Sequence, residues 1–217
     1  MSDAVLLADW PAPANIRAGT TLRAGSEADL PAVPRWLRQV HGARAVLLGS
    51  PDFDDEMPEA DAVIGTQPGD ICVVRTADCL PVLLCSRDGQ QIAAVHAGWR
   101  GLAAGVIEAA IERLSYPPSA LLAWIGPAIA QPAFEVGDEV REQFVAQSAG
   151  AQALFIGNDR GRWQADLCAL ARRRLGATGV RSVHGGGLCT FADSERFFSF
   201  RRDGQCGRMA TFIHRQL

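Results

Sequence analysis

Residues 71–101 read ICVVRTADCLPVLLCSRDGQQIAAVHAGWRG, and this stretch decides the fold. Three short apolar runs follow one another here: Ile71–Thr76, Leu80–Cys85 and Gln91–His96. Each has the length of a strand and is bounded by turn residues. Arg87-Asp88-Gly89 joins the last two as a hairpin, because Asp-Gly supplies the positive φ that a tight turn needs. The period then changes. Over Gly101–Leu114, Leu102, Val106, Ala109, Ala110 and Leu114 form a helical stripe while Glu108, Glu112 and Arg113 face out. Pro117-Pro118 ends that helix.

Working outward, Ala62–Gly65 is a further short strand before this stretch, and Leu121–Gly126 and Val180–His184 follow it. Gly137–Ala146 and Asp166–Leu175 read as helices, the second opened by Asp166 as N-cap. Residues 11–35 are rich in Pro, Gly and Ala and read as an early strand with a long loop. Residues 49–61 form an acidic loop that reads as a solvated connection. Near the end, Phe197–Arg201 and Met209–His214 flank Asp203-Gly204-Gln205-Cys206-Gly207 as a second hairpin. Hairpins mixed with crossover helices predict an α/β (α+β) fold with mixed β-sheets in a single domain, 1–217. A Gly-x-Gly-x-x-Gly fingerprint is absent, which argues against a dinucleotide.

Composition narrows the class. The 217 residues are 48% apolar, enough for a substantial core. Twenty-one basic against 24 acidic residues give a net charge of −3, which argues against nucleic acid or an anionic membrane as the main partner. The first residues carry Asp3 where a signal peptide would carry Lys or Arg, and no apolar run approaches a membrane span. The expectation is a cytoplasmic protein whose six cysteines are thiols. Cys72, Cys85 and Cys168 lie inside apolar runs as small core residues, whereas Cys79 follows an acid and ends a run.

Three residues stand where strand-like runs give way to loops: His41 in Gln39-Val40-His41-Gly42, Cys79 in Thr76-Ala77-Asp78-Cys79, and His96 in Val95-His96-Ala97-Gly98. Two imidazoles and a thiolate are three of the four ligands of a tetrahedral zinc, the fourth position staying open in a catalytic site. The spacing alone lacks a Cys-x-x-Cys or His-Glu-x-x-His signature. It equally admits a core His96 satisfied by backbone and a buried, inert Cys79. The next residues add an anion site. Gly98-Trp99-Arg100-Gly101 enters a helix start, whose free N–H groups favour phosphate, with Arg100 as a fork. Arg75 beside the thiol favours thiolate, Asp78 offers a base or an orienting carboxylate, and Arg201 a substrate-facing cation.

The blocks Val74-Arg75-Thr76-Ala77-Asp78-Cys79-Leu80-Pro81-Val82-Leu83-Leu84 and Val95-His96-Ala97-Gly98-Trp99-Arg100-Gly101 resemble the signatures of the YfiH family. The likeness extends through Gln39-Val40-His41-Gly42, Ile125-Gly126-Pro127, Phe134-Glu135-Val136-Gly137, Cys189-Thr190-Phe191 and Arg196-Phe197-Phe198-Ser199-Phe200-Arg201. It implies an α-β-β-α layered arrangement and a metal site of His41, Cys79 and His96. It also implies purine nucleoside phosphorylase chemistry: adenosine, inosine or 5′-methylthioadenosine cleaved by phosphate, with adenosine deaminase activity beside it. Phe134 and Phe191 stand where Tyr is expected, which puts a hydroxyl contact at either place in doubt.

Family members have also been called polyphenol oxidases or laccase-domain proteins. A multicopper oxidase consumes far more imidazoles than the four in this chain. A single copper of the blue type wants an axial Met, and the one near in sequence, Met57, sits in the acidic loop. The primary expectation is therefore zinc, with copper as the alternative metal, in a monomer or weak homodimer. A metal-free cysteine hydrolase, Cys79 with His96 as its base, editing a peptidoglycan precursor, is the other enzymatic alternative. A metal- or partner-binding module is the third.

Overall fold

The apolar runs of the central stretch become strands in the computed structural model, which describes residues 4–53 and 56–217. In chain order the first strands are β1 (Val5–Leu7), β2 (Ile16–Thr21), β3 (Ala45–Leu47), β4 (Ala62–Gly65) and β5 (Ile71–Thr76). The hairpin strands β6 (Leu80–Ser86) and β7 (Ile92–Ala97) follow, then α1 (Trp99–Ala104), α2 (Val106–Glu112) and β8 (Leu121–Ile125). Next come β9 (Glu135–Val136), α3 (Asp138–Gln147), β10 (Phe155–Gly157), β11 (Trp163–Ala165) and α4 (Leu167–Thr178). The chain closes with β12 (Ser182–Gly185), α5 (Phe200–Asp203) and β13 (Met209–Arg215).

Two sheets carry the fold. One is four-stranded and antiparallel, β1-β2-β13-β5; the other is six-stranded and mixed, β12-β8-β6-β7-β4-β3, with parallel pairs at both ends. A small antiparallel sheet, β10-β11-β9, stands apart. Period-two alternation divides each central strand between two cores. Leu83, Cys85, Ile92 and Ala94 pack on Cys72, Val74 and Ile213 between the sheets. Leu80, Val82, Leu84, Ala93 and Val95 point the other way, onto Leu102, Val106, Ile107 and Ala110 of α1 and α2 and Leu170, Ala171 and Leu175 of α4. The outer face of the four-stranded sheet, Ile71, Val73, Ala210 and Phe212, is covered by Leu30, Ala32 and Trp36 in the segment after the 3₁₀ turn Glu27–Asp29. Layers of helix, sheet, sheet and covering segment result, as the motifs imply. Both faces of β5 to β8 are buried, so these strands read as nearly continuous apolar runs.

Several boundaries differ from expectation for identifiable reasons. The helix expected over Gly101–Leu114 starts earlier and is broken at Gly105, whose φ of 92° is left-handed. Glu108, expected to face out, is half-buried and pairs with Arg174 of α4 at 2.9 Å. The final hairpin does not form. Ser199 caps α5 by accepting from the Arg202 N–H, so Phe200 and Arg201 are helical, and β13 pairs instead with β2 and β5. Cys72 and Cys85 are buried as expected, Cys168 only partly, and all six thiols are free. Asp166 caps α4 by accepting from the Ala169 N–H. Among the described residues no helix is long and apolar enough to cross a membrane.

Candidate metal and substrate site

The β6–β7 register fixes two of the three candidate ligands. Leu80 lies opposite Ala97 and Pro81 opposite His96, so Cys79, one residue before β6, lies across from Gly98, just past β7. A glycine leaves room there: a Cβ at Gly98 would crowd the pair, standing 3.0 Å from Cys79 Sγ and 3.1 Å from His41 Cδ2. His41 arrives from a separate loop. The Gln39 side chain clamps that loop to the end of β5 by donating to the Arg75 carbonyl and accepting from the Arg75 N–H, both at 2.8 Å. The ligand atoms of His41, Cys79 and His96 all lie within 4.8 Å of one another.

Among the described residues two non-glycine residues have positive φ, and both serve this cluster: His41 at 60° and Asp78 at 88°. Such conformations are uncommon outside glycine and persist where surrounding bonds enforce them. For Asp78 those bonds come from far along the chain. Its carboxylate accepts from Thr190 Oγ1 at 2.6 Å, Ser199 Oγ at 3.0 Å and the Arg201 N–H at 2.6 Å. For His41 they come from Asp61, which is fully buried. Asp61 accepts from the N–H groups of Val40 (3.2 Å), His41 (2.9 Å) and Gly42 (2.7 Å), while His96 Nδ1–H donates to its Oδ1 at 2.7 Å. Sequence reading missed Asp61, because the acidic run 49–61 looked like a solvated loop. Asp54 and Asp55 of that run lie outside the described residues. The usable signal was position: Asp61 directly precedes the buried strand β4.

Burial pushes the Cys79 thiol up, but hydrogen bonds from His41 and His96 and their charge outweigh it and bring it down to about 6. Burial likewise favours neutral His96, yet the bonds to Asp61 and Cys79 raise it to about 9. Burial acts against ionised Asp61, and the His96 bond with the backbone donors still holds it below its ordinary value. The result at neutral pH is a thiolate beside an imidazolium, anchored by a carboxylate. The donor set fits a metal. With Nδ1 bonded to Asp61, His96 is left with Nε2 as its ligand atom, and Cys79 Sγ lies 3.8 Å from His41 Nε2. Tetrahedral zinc at ordinary Zn–S and Zn–N lengths separates such atoms by about 3.6 Å. A histidine ligand held by a carboxylate on its other nitrogen is the usual arrangement behind a metal.

The cluster opens into a cavity of about 610 Å³. Arg75, Asp78, Arg100 and Arg201 line it, as does Arg208, which sequence reading did not single out. Apolar walls come from Trp99, Ile129, Phe134 and Phe200. Arg75 lies 3.8 Å over the Trp36 ring and pairs with Glu27, Arg100 lies over Trp99, and Arg201 donates to the Ala133 and Glu135 carbonyls. Gly98 is different: it is buried against the ligands and does not face the cavity. The other two histidines sit elsewhere. His184 lies on β12 with its Nε2 3.0 Å from Ser182 Oγ, and His214 is on β13. Phe191 is outside the cavity, and Met57 is exposed and outside it.

Comparison with known proteins places this architecture. A family model described as multi-copper polyphenol oxidoreductase laccase matches residues 13–216. The chain belongs to that family, the YfiH family its motifs resemble. A Pseudomonas aeruginosa protein named purine nucleoside phosphorylase is 45% identical over 97% of this chain and 98% of its own length. An Escherichia coli protein named purine nucleoside phosphorylase YfiH is 49% identical, over 85% of this chain and 75% of that relative. Among solved structures, a Neisseria meningitidis protein superposes with a TM-score of 0.91 at 37% identity, covering 99% of this chain and all of that one. YlmD from Geobacillus stearothermophilus gives 0.81 at 26% identity, over 95% and 94%.

Proposed function

We propose that this protein is a zinc-dependent purine nucleoside phosphorylase that cleaves adenosine, inosine or 5′-methylthioadenosine with phosphate, with adenosine deamination as a second activity. The observation that carries the reading is the His41–Cys79–His96 cluster at the base of a cavity walled by both guanidinium groups and aromatic rings. The relatives' name supports it. His41, Cys79 and His96 would hold the metal, which when bound supplies a Lewis acid for an oxygen of phosphate or water.

The chain's own groups do the rest. Arg75, Arg100, Arg201 and Arg208 surround the cavity and match a phosphate dianion. Trp99, Phe134 and Phe200 present apolar faces suited to a purine ring. In phosphorolysis a phosphate oxygen bonds to C1′ as the C1′–N9 bond breaks. The electron pair departs on the purine, which takes up the proton that the attacking hydrogen phosphate gives up. Asp78 is a positioning residue in this scheme: both carboxylate oxygens are engaged by Thr190, Ser199 and Arg201, so it anchors the start of α5, which carries Arg201.

One observation favours a second reading. Cys79, His96 and Asp61 stand as nucleophile, base and orienting carboxylate, the arrangement of a cysteine hydrolase. A multicopper oxidase finds no such support, since two of the four histidines lie outside the cluster. Elemental analysis of the wild type and Cys79→Ala, with turnover of adenosine and phosphate followed on both, separates the readings. About one zinc per chain, lost together with phosphorolysis in the variant, is expected. Activity without metal that survives chelators would overturn the zinc enzyme and favour the hydrolase.

A further inference from the structure

We infer that Asp61 is the positioning residue that makes His41 and His96 a single preassembled pair of ligands, an inference that rests on the metal-centred reading above. Its place in the fold suits the task. Asp61 precedes β4, which lies beside β7, and its carbonyl accepts the His96 N–H at 2.7 Å. Its side chain then reaches both ligand residues through one atom. Oδ1 accepts from the His41 N–H at 2.9 Å and from His96 Nδ1–H at 2.7 Å. Oδ2 accepts from Gly42 at 2.7 Å and Val40 at 3.2 Å, closing the turn in which His41 holds its positive φ.

A carboxylate serving the fold alone would need only the turn. The bond to the His96 ring does something else: in the neutral, ligating imidazole it keeps the proton on Nδ1 and leaves Nε2 facing Cys79. Asp61 thereby sets the tautomer of one ligand and the backbone direction of the other. Among the described residues it has no arginine partner, so its charge is balanced only by His96 and three backbone dipoles. The substitution Asp61→Asn would keep one acceptor oxygen but turn an NH₂ toward N–H donors that now meet oxygen.

Cobalt(II) titration of metal-stripped protein tests this through the thiolate-to-cobalt charge-transfer absorption. Asp61→Asn, shown folded by circular dichroism, is expected to bind cobalt about 10- to 100-fold more weakly than wild type. Because Asp61 acts on His41, the loss should be smaller in a His41→Ala background than in wild type. A folded variant with wild-type cobalt affinity, or losses that simply multiply, would overturn the inference while leaving the metal reading intact. Wild type that binds no cobalt would overturn both. If Asp61→Asn does not fold, ¹⁵N shifts of the His96 ring in zinc-loaded wild type carry the test. Protonated Nδ1 with metal on Nε2 is expected, and metal on Nδ1 would overturn it.

Discussion

Adding one methyl group at Gly98 should damage the metal site far more than the fold. The new Cβ would stand 3.0 Å from Cys79 Sγ and 3.1 Å from His41 Cδ2, where ordinary contact begins at 3.4 Å. Both side chains must therefore retreat by about 0.3–0.4 Å, against a tolerance of about 0.2 Å in metal–ligand lengths. Overpacking of this kind costs about 1–3 kcal/mol. If that falls on the bound state, zinc affinity drops by about 5- to 150-fold. The backbone raises no objection, since Gly98 has φ −58° and ψ 158°, open to alanine. Stiffening the unfolded chain even returns about 0.4–1 kcal/mol. Gly98→Ala is thus expected to keep its metal-free melting temperature within a few degrees while losing zinc to a chromophoric chelator. Zinc affinity within twofold of wild type would refute the reasoning. So would a large metal-free destabilisation, which would show that the clash is borne by the fold.

Asp78→Ala should do the opposite and unsettle the fold. It strands the donors of Thr190, Ser199 and Arg201 and leaves alanine at φ 88°. At about 1–3 kcal/mol for each stranded buried donor, the loss is about 3 kcal/mol or more, or roughly 6–12 °C in melting temperature; a change under 2 °C would count against this role. Proton release on zinc binding should depend on pH in a set way. His96, at about 9, gives up one proton per zinc near pH 8, and Cys79, at about 6, adds its own as pH falls through 6. Calorimetry in buffers of different ionisation enthalpy reads that count, and a count of zero at pH 8 would contradict the imidazolium. For metal-free stability the signs oppose. The lowered Cys79 value favours the fold increasingly from pH 6 to 9, while the raised His96 value favours it below 6.5 and fades toward 9. The cluster's net contribution should therefore be nearly flat over pH 6.5–9 in urea melts of the metal-free protein, and a steep slope carried by Cys79→Ser-sensitive stability would oppose it. Finally, Arg201→Ala should raise KM for phosphate at least severalfold with a smaller effect on KM for nucleoside; the reverse split would move Arg201 to the base side of the cavity.

What could be read from the sequence followed from local chemistry. Ala62–Gly65 and Ile71–Thr76 were placed to the residue because both ends carry turn residues and the runs are buried on two faces. Cys79 and His96 could be brought together because Asp88-Gly89 fixes the hairpin, with Gly89 at φ 68°. His41 was legible as a candidate ligand from its place beside a loop, but spacing alone could not bring it to Cys79, since the Gln39 clamp and Asp61 that carry it are long-range. Gly105 was overlooked as a helix break because the apolar stripe continues across it. Phe197-Phe198-Ser199-Phe200 has strand-like composition, but Ser199 spends its hydroxyl on a cap and on Asp78, and that choice belongs to the tertiary structure.

The place of β13 in the four-stranded sheet ties distant parts of the chain into one closing step. The strand spans Met209–Arg215 yet lies between β2 and β5, pairing Phe212 with both Gly19 and Val73. Until it docks, β5 has no partner in its own sheet, and the core between the sheets lacks Ile213. Contacts so distant in sequence close slowly. The six-stranded, helix-covered sheet can thus assemble from its own strands, while the four-stranded sheet closes around β5 only when β13 docks.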